Sequence, residues 1–265
     1  MRIAFAFVVL LAALPVAQGF AIAEGLGGIH PTAPPSENET VIATQPGHLL
    51  LYDENGTLQY DEHRYENYWD VDPSPVGDRT VLLAAGADAE NCGADDCVRN
   101  IVTRINLTTG ERVRLFSRTV STKGSAEWHD VDRINDSALV IADIKHDKVF
   151  MIDPGTKEVF WQWNASEHFS RESGGPPKDW THLNDVEYTE NGRVMASIRN
   201  QDQVVFIEPG EGVVENRTLG AEDDFSVLWG QHNPDYIPEI QGGPAILVAD
   251  SHNDRTVEYQ WREDE

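Results

Sequence analysis

The chain has 265 residues, with 45 acidic side chains against 20 basic ones, a formal charge of −25 and a pI near 4.5, yet 40% of it is hydrophobic and it holds seven tryptophans. The apolar content excludes a disordered acidic tail, and the charge, with no lysine or arginine run to offset it locally, excludes nucleic acid and anionic lipid surfaces as partners. The acidic residues are spread along the whole chain, a pattern that keeps a surface hydrated at high salt and points to a halophilic source.

Residues 1–23 read as a signal peptide: Met1-Arg2 gives a short positive start, Ile3 to Leu14 is an unbroken apolar run, and Ala21-Ile22-Ala23 is a small-x-small cleavage pattern. Uncleaved, the same stretch would tether the protein to a membrane at its N-terminus, although Pro15, Gln18 and Gly19 interrupt it. Either way the protein is expected to be exported, extracellular or on the cell surface. Six Asn-x-Ser/Thr sequons, at Asn38, Asn55, Asn106, Asn135, Asn164 and Asn216, agree with that and are glycosylation candidates. Cys92 and Cys97, the two cysteines, lie in a Gly/Asp-rich stretch and outside the cell would form a short-loop disulfide, since two sulfurs without a nearby histidine do not complete a zinc site.

Residues 24–40, rich in Gly, Pro and Glu without periodicity, read as a linker, and residues 41–265 as one folded domain. Within that domain a polar motif recurs: Trp69-Asp70-Val71-Asp72, His129-Asp130-Val131-Asp132, Asn184-Asp185-Val186-Glu187 and His232-Asn233-Pro234-Asp235, at intervals of 60, 55 and 48 residues. Each later copy is followed by two apolar strands, as in Ala138–Asp143 with Lys148–Asp153, Arg193–Ser197 with Gln203–Glu208, and Ala245–Asp250 with Thr256–Tyr259. Tight-turn signals close the units at Asn55-Gly56, Thr109-Gly110, Asp153-Pro154-Gly155 and Glu208-Pro209-Gly210. Units of this length, built from about four short strands, predict an all-β propeller of four-stranded blades, about four to five of them. Trp161, Trp163, Phe206, Tyr259 and Trp261 are expected to fill the gaps between blades.

Equivalent positions in successive blades face one axis, so His129, Asn184 and His232 are expected to meet there, with Trp69 in the corresponding place of the first unit. His182 would join them on the strand face of Asn184, and Arg199 from the end of the next strand. His252 is expected to face solvent. Taken singly, any histidine is more often structural than catalytic; recurrence at matching positions is what singles these out.

Trp128-His129-Asp130-Val131, Asp179-Trp180-Thr181-His182-Leu183-Asn184, Ser197-Ile198-Arg199 and Gln231-His232 together make residues 65 to 262 resemble the phenolic-ester-dependent aryl-sulfate sulfotransferases, which are six-bladed propellers. The resemblance implies a shortened member that moves a sulfuryl group from a phenolic sulfate ester to a phenol through a sulfo-histidine, with no nucleotide donor and no cofactor. It implies His232 as the nucleophile, with His129, His182, Arg199 and Asn184 holding the sulfuryl group. His129 and His182 are equal candidates for the acid that protonates the leaving phenolate. No Walker-type glycine loop is present. Two other readings stand beside it. One is a non-catalytic cell-surface binding propeller. The other is a metal-dependent hydrolase or lactonase-type propeller in which Asp130, Asp132, Asn184 and Asp185 hold calcium. A second chain completing the ring, as a homo-oligomer, is also left open.

Overall fold

A computed structural model describes residues 39–74, 79–122 and 125–262; the signal segment, Asn38 and nearly all of the linker lie outside the described residues. The described residues form five antiparallel sheets in sequence order, the blades of a propeller. The first blade holds β1 (Thr40–Ala43), β2 (Leu49–Tyr52) and β3 (Leu58–Glu62). The second holds β4 (Asn67–Pro73), β5 (Thr80–Ala89), β6 (Cys97–Asn106) and β7 (Arg112–Ser121). The third holds β8 (Trp128–Asn135), β9 (Ala138–Asp143), β10 (Lys148–Ile152) and β11 (Val159–Asn164). The fourth holds β12 (Leu183–Tyr188), β13 (Val194–Ile198), β14 (Gln203–Glu208) and β15 (Gly212–Val213). The fifth holds β16 (His232–Ile237), β17 (Ala245–Asp250) and β18 (Arg255–Gln260). The first and fifth blades therefore have three strands rather than the expected four, and the recurring motif begins in the second blade, because the first carries no copy of it.

The apolar runs are explained by stacking on both faces. In β5, Leu83 packs into the core shared with the first blade and Leu82 into the core shared with the third. In β9, Ile141 faces back to the second blade and Val140 forward to the fourth. In β13, Val194 faces the third blade and Met195 the fifth. A strand buried on both faces loses the polar alternation of a half-buried one. Trp161 and Trp163 fill the gap between the third and fourth blades, and Phe206, Tyr259 and Trp261 that between the fourth and fifth.

Among the described residues, four such cores join consecutive blades, and none joins the fifth to the first. Leu247 shows the consequence. Its counterparts by register, Val140 and Met195, are fully buried, while Leu247 is 37% exposed on the uncovered face of the last blade.

Cys92 and Cys97 are disulfide-linked. Asn55, Asn135 and Asn216 are exposed, whereas Asn106 and Asn164 are half-buried and hold local turns, Asn106 by accepting from the Thr108 and Thr109 amides and Asn164 by donating to Glu167. Among the described residues no helix is long and apolar enough to cross a membrane.

Candidate functional site

The innermost strands β4, β8 and β12 each break register at the motif, between Tyr68 and Asp70, Trp128 and Asp130, and Leu183 and Asp185. The residue left unpaired at each break is Trp69, His129 or Asn184. A bulge of this kind re-aims a side chain out of the pleat, which is how a strand end presents one residue to a central site. β16 breaks register just after His232.

These breaks gather the predicted residues into a chain of rings. Trp69 lies 5.7 Å from His129 between centroids, His129 5.9 Å from His182, and His182 6.4 Å from His232. Arg199 joins them from the one-turn helix Arg199–Gln201, donating from Nη1 to Asn200 Oδ1 at 2.9 Å. Its Nη2 stands 3.5 Å from His252 Nε2. His252 is exposed as expected, but it also borders the site rather than facing solvent alone.

His182 arrives by another route than strand alternation. It precedes β12, and its backbone is left-handed, with φ of 45°. That turn folds its ring back onto Asp179, whose carboxylate oxygens lie 2.8 and 2.9 Å from Nδ1. The segment carrying both is strapped to the Arg199 turn, with the Asn200 amide donating to the Thr181 carbonyl and Asn200 Nδ2 to the Asp179 carbonyl. Gly175 makes this approach feasible, since a Cβ there would come within 2.4 Å of the Asp179 carbonyl oxygen.

Charge is distributed unequally over the cluster. Burial, reinforced by the charges of His182 and His232, pushes His129 down to about 3. Burial followed by the charges of Arg199 and His182 pushes His232 down to about 4. Both imidazoles are therefore neutral at pH 7. Burial works to raise Asp179, but the hydrogen bond and charge of His182, with the charge of Arg199, hold that carboxyl below its usual range. Arg199 is lowered by burial, against which Asp179 and Asp202 act, and its Nε is a buried donor with no acceptor among the described residues.

His232 Nδ1 lies 2.9 Å from Ser251 Oγ, and that hydroxyl donates to the Ala249 carbonyl. The Gly230 backbone carbonyl also interacts with the His232 ring, so Ser251 and Gly230 together orient the imidazole. Asn184 is buried and donates Nδ2 to the Gln231 carbonyl, immediately before His232. Asn100 does the same for the third blade, donating to the Ala126 carbonyl. Asn184 thus positions the Gln231–His232 segment, besides the sulfuryl-holding role expected of it.

Sequence reasoning passed over Asp179, Ser251, Asn100 and an aromatic rim. Phe225 and Trp229 are both about two-fifths exposed, with centroids 5.2 Å apart, and Trp229 meets His252 edge-on at 5.1 Å. Gly230 has φ of 59° and a Cβ on it would sit 2.7 Å from the His252 ring, so only glycine admits that ring beside the chain leading to His232. The signal available in the sequence was the Asp179-x-x-His182 spacing and the run Trp229-Gly230-Gln231-His232.

Beneath the histidines the motif carboxylates staple one blade to the next. Asp130 accepts from the Val186 amide at 2.7 Å, Asp132 from Tyr188 at 2.8 Å, Glu187 from Tyr236 at 2.7 Å, and Asp70 more loosely from Val131 at 3.4 Å. Burial and mutual repulsion hold Asp70, Asp72, Asp185 and Glu187 well above the carboxylate range; Asp130 is pushed to about 7 and Asp132 to about 6, chiefly by burial. Among the described residues, Asp130, Asp132 and Asp185 do not bring one oxygen each within 4.8 Å of the others, so the calcium reading finds no preformed set of three carboxylates there.

The profile of the Arylsulfotransferase (ASST) family matches residues 132–264, a stretch that includes His182, Asn184, Arg199 and His232. No curated protein sequence matches the chain. Among solved structures, a Bacteroides caccae protein of unknown function superposes with a TM-score of 0.58 at 9% identity, over 86% of this chain and 71% of that one. Streptogramin B lyase superposes with a TM-score of 0.51 at 6% identity, over 86% of this chain and 67% of its own. At such identities the likeness concerns the fold alone.

Proposed function

Because this chain belongs to the arylsulfotransferase family, we propose that it transfers a sulfuryl group from a phenolic sulfate ester to a phenol through a sulfo-histidine on His232, without a nucleotide donor. The observation that carries the reading is the placement of His232, held at Nδ1 against Ser251 and set beside His182 and Arg199 in the axial cluster, where burial and the Arg199 charge favour its neutral form. In the first half-reaction His232 Nε2 attacks sulfur; the S–N bond forms as the bond from sulfur to the aryl oxygen breaks, and the departing phenolate takes a proton from His182. In the second, the acceptor phenol oxygen attacks the same sulfur, its proton passes to His182, and the S–N electron pair returns to Nε2. His182 suits the proton-carrying role because a carboxylate stands behind it, whereas burial keeps His129 neutral. Arg199 and His129 act as fixed donors to the sulfuryl oxygens, on which negative charge is spread throughout. Asn184 holds the Gln231–His232 segment in place. The aryl ring rests against Trp229, whose indole borders the Arg199–His252 pair.

The leader-like residues 1–23 and the sequons support placing the reaction outside the cytoplasm, and the acidic composition supports assaying it at high salt. The test is incubation with 4-nitrophenyl sulfate and an acceptor phenol, with no nucleotide present. Turnover in the wild type, its loss in His232→Ala, and no effect of EDTA are the expected results. Wild-type protein that binds the ester without turning it over, and keeps its affinity in His232→Ala, would instead be a non-catalytic binding propeller.

A further inference from the structure

The first blade carries a cluster of side chains of metal-ligating type, apart from the axial site. In the antiparallel ladder of β2 and β3, Leu49 is opposite Glu62 and Leu50 opposite Asp61. Continuing that register by one residue puts His48 across from His63, with Asp61 two residues back on the same side. Leu49, Leu51 and Glu62 point to the buried face, so His48, Asp61 and His63 share the opposite face, which no blade among the described residues covers, and all three are exposed. The imidazoles lie 5.7 Å apart between centroids, and His48 Nδ1 is 2.9 Å from Asp61 Oδ1. One ligand atom from each of the three lies within 4.8 Å of the other two.

From this geometry we propose that His48, Asp61 and His63 form a binding site for a divalent transition metal of the zinc type. Two imidazoles and one carboxylate are the donors such ions prefer over the all-oxygen sets of calcium and magnesium. Ligand bonds of about 2.0–2.2 Å require donor atoms closer together than the present upper limit, and exposed side chains on paired strands close that gap by rotation alone. Pairing of Leu49 with Glu62 and of Leu50 with Asp61 holds the strand ends on which the three side chains sit, and the Thr44 hydroxyl accepts from the His48 amide. The charge of −25 concentrates cations at the surface. Three protein ligands leave a fourth position for water or a further donor. By linking the ends of β2 and β3, the ion would brace the first blade on its uncovered side, and it takes no part in the axial chemistry.

Zinc titration of the full chain by calorimetry tests this, with wild type compared with Asp61→Asn and with the double variant His48→Ala/His63→Ala, all folded by circular dichroism. One saturable equivalent is expected at this site. Losing even an outer-sphere partner weakens metal sites by about 10- to 100-fold, so Asp61→Asn is expected to weaken it by about tenfold or more, and the double variant to lose one whole equivalent. Cobalt gives an independent readout, a visible absorption of tetrahedral type present in the wild type and absent from the double variant. If axial histidines bind zinc too, the wild type shows an extra equivalent that survives in the double variant, and the difference of one remains. No saturable binding, or an equal number of equivalents in wild type and double variant, overturns the assignment.

Discussion

Replacing Arg199 by glutamine separates two effects that the proposed mechanism gives to one side chain. As a donor to the sulfuryl oxygens, Arg199 is expected to act like other preorganised anion-stabilising groups, whose removal costs about 3 kcal/mol, or roughly 10²–10³ in kcat. As a positive charge beside His232, it is one of the groups that hold that imidazole at about 4 rather than 6.5, after burial itself. That lowering corresponds to roughly 3 kcal/mol against the charged ring. The nucleophile works neutral, so activity is lost as pH falls through the pKa of His232, and kcat/KM reports this for the unliganded enzyme. The wild-type acid limb should therefore lie near 4. In Arg199→Gln, with one of the lowering charges gone and burial unchanged, the limb should move to higher pH while the plateau drops. The assay is the pH profile of 4-nitrophenyl sulfate turnover, with circular dichroism at each pH to confirm the fold. A wild-type limb near 6.5, or a variant limb that stays in place or moves down, would refute the reasoning about how His232 is kept neutral.

Four more outcomes rest on particular residues. Ser251→Ala removes a hydrogen-bond partner that orients the His232 ring, and kcat is expected to fall about 2- to 13-fold, the worth of one net hydrogen bond of about 0.5–1.5 kcal/mol, with KM little changed. Trp229→Ala should raise KM for the aryl ester by about tenfold and leave the acid limb where it is, read from steady-state kinetics. Asp185→Asn should stabilise the protein at pH 7.5 by about 1 kcal/mol or more, measured as a rise in Tm. Asp185 is buried among other carboxylates, and the amide that would serve it by analogy with Val131 and Val186 is replaced by Pro234, which has none. The same raised carboxyls bind protons in the folded state that the unfolded chain has already released, so their contribution is present at acid pH and lost as pH rises toward 7. His129 and His232 act oppositely, their contribution being lost as pH falls below 6.5, but they are outnumbered. Tm should accordingly be higher at pH 5.5 than at 7.5, and the gap smaller in Asp185→Asn.

Much of this architecture was legible in the chain because one motif repeats. The recurrence from Trp69 to Asp235 located the innermost strands, and the turns at Asn55-Gly56 and Asp153-Pro154-Gly155 separate strands where expected. The first blade was harder to count, since it lacks the motif that marks the others. The gathering of His129, His182, Arg199 and His232 followed from equivalence between blades, whereas the means did not. Bulges at Trp69, His129 and Asn184 and the left-handed backbone of His182 depend on tertiary packing, to which a period-2 pattern is blind. The use of Asp130 and Asp132 was hidden for a related reason: each hydrogen bond spans 56 residues of sequence, so an acidic repeat that reads as cation ligands serves instead to fasten neighbouring blades. His48 and His63 stand apart in the sequence, and only the register of β2 and β3, continued by one residue, brings them opposite each other.

The central claim is that His232 carries the sulfuryl group between two phenols. Intact-mass measurement after brief exposure to 4-nitrophenyl sulfate, with no acceptor phenol, tests it most directly. The account predicts a gain of one SO3 per chain, mapped to His232, absent in His232→Ala and discharged when phenol is added. Release of 4-nitrophenol with no adduct on the protein, or an adduct that persists in His232→Ala, would contradict it.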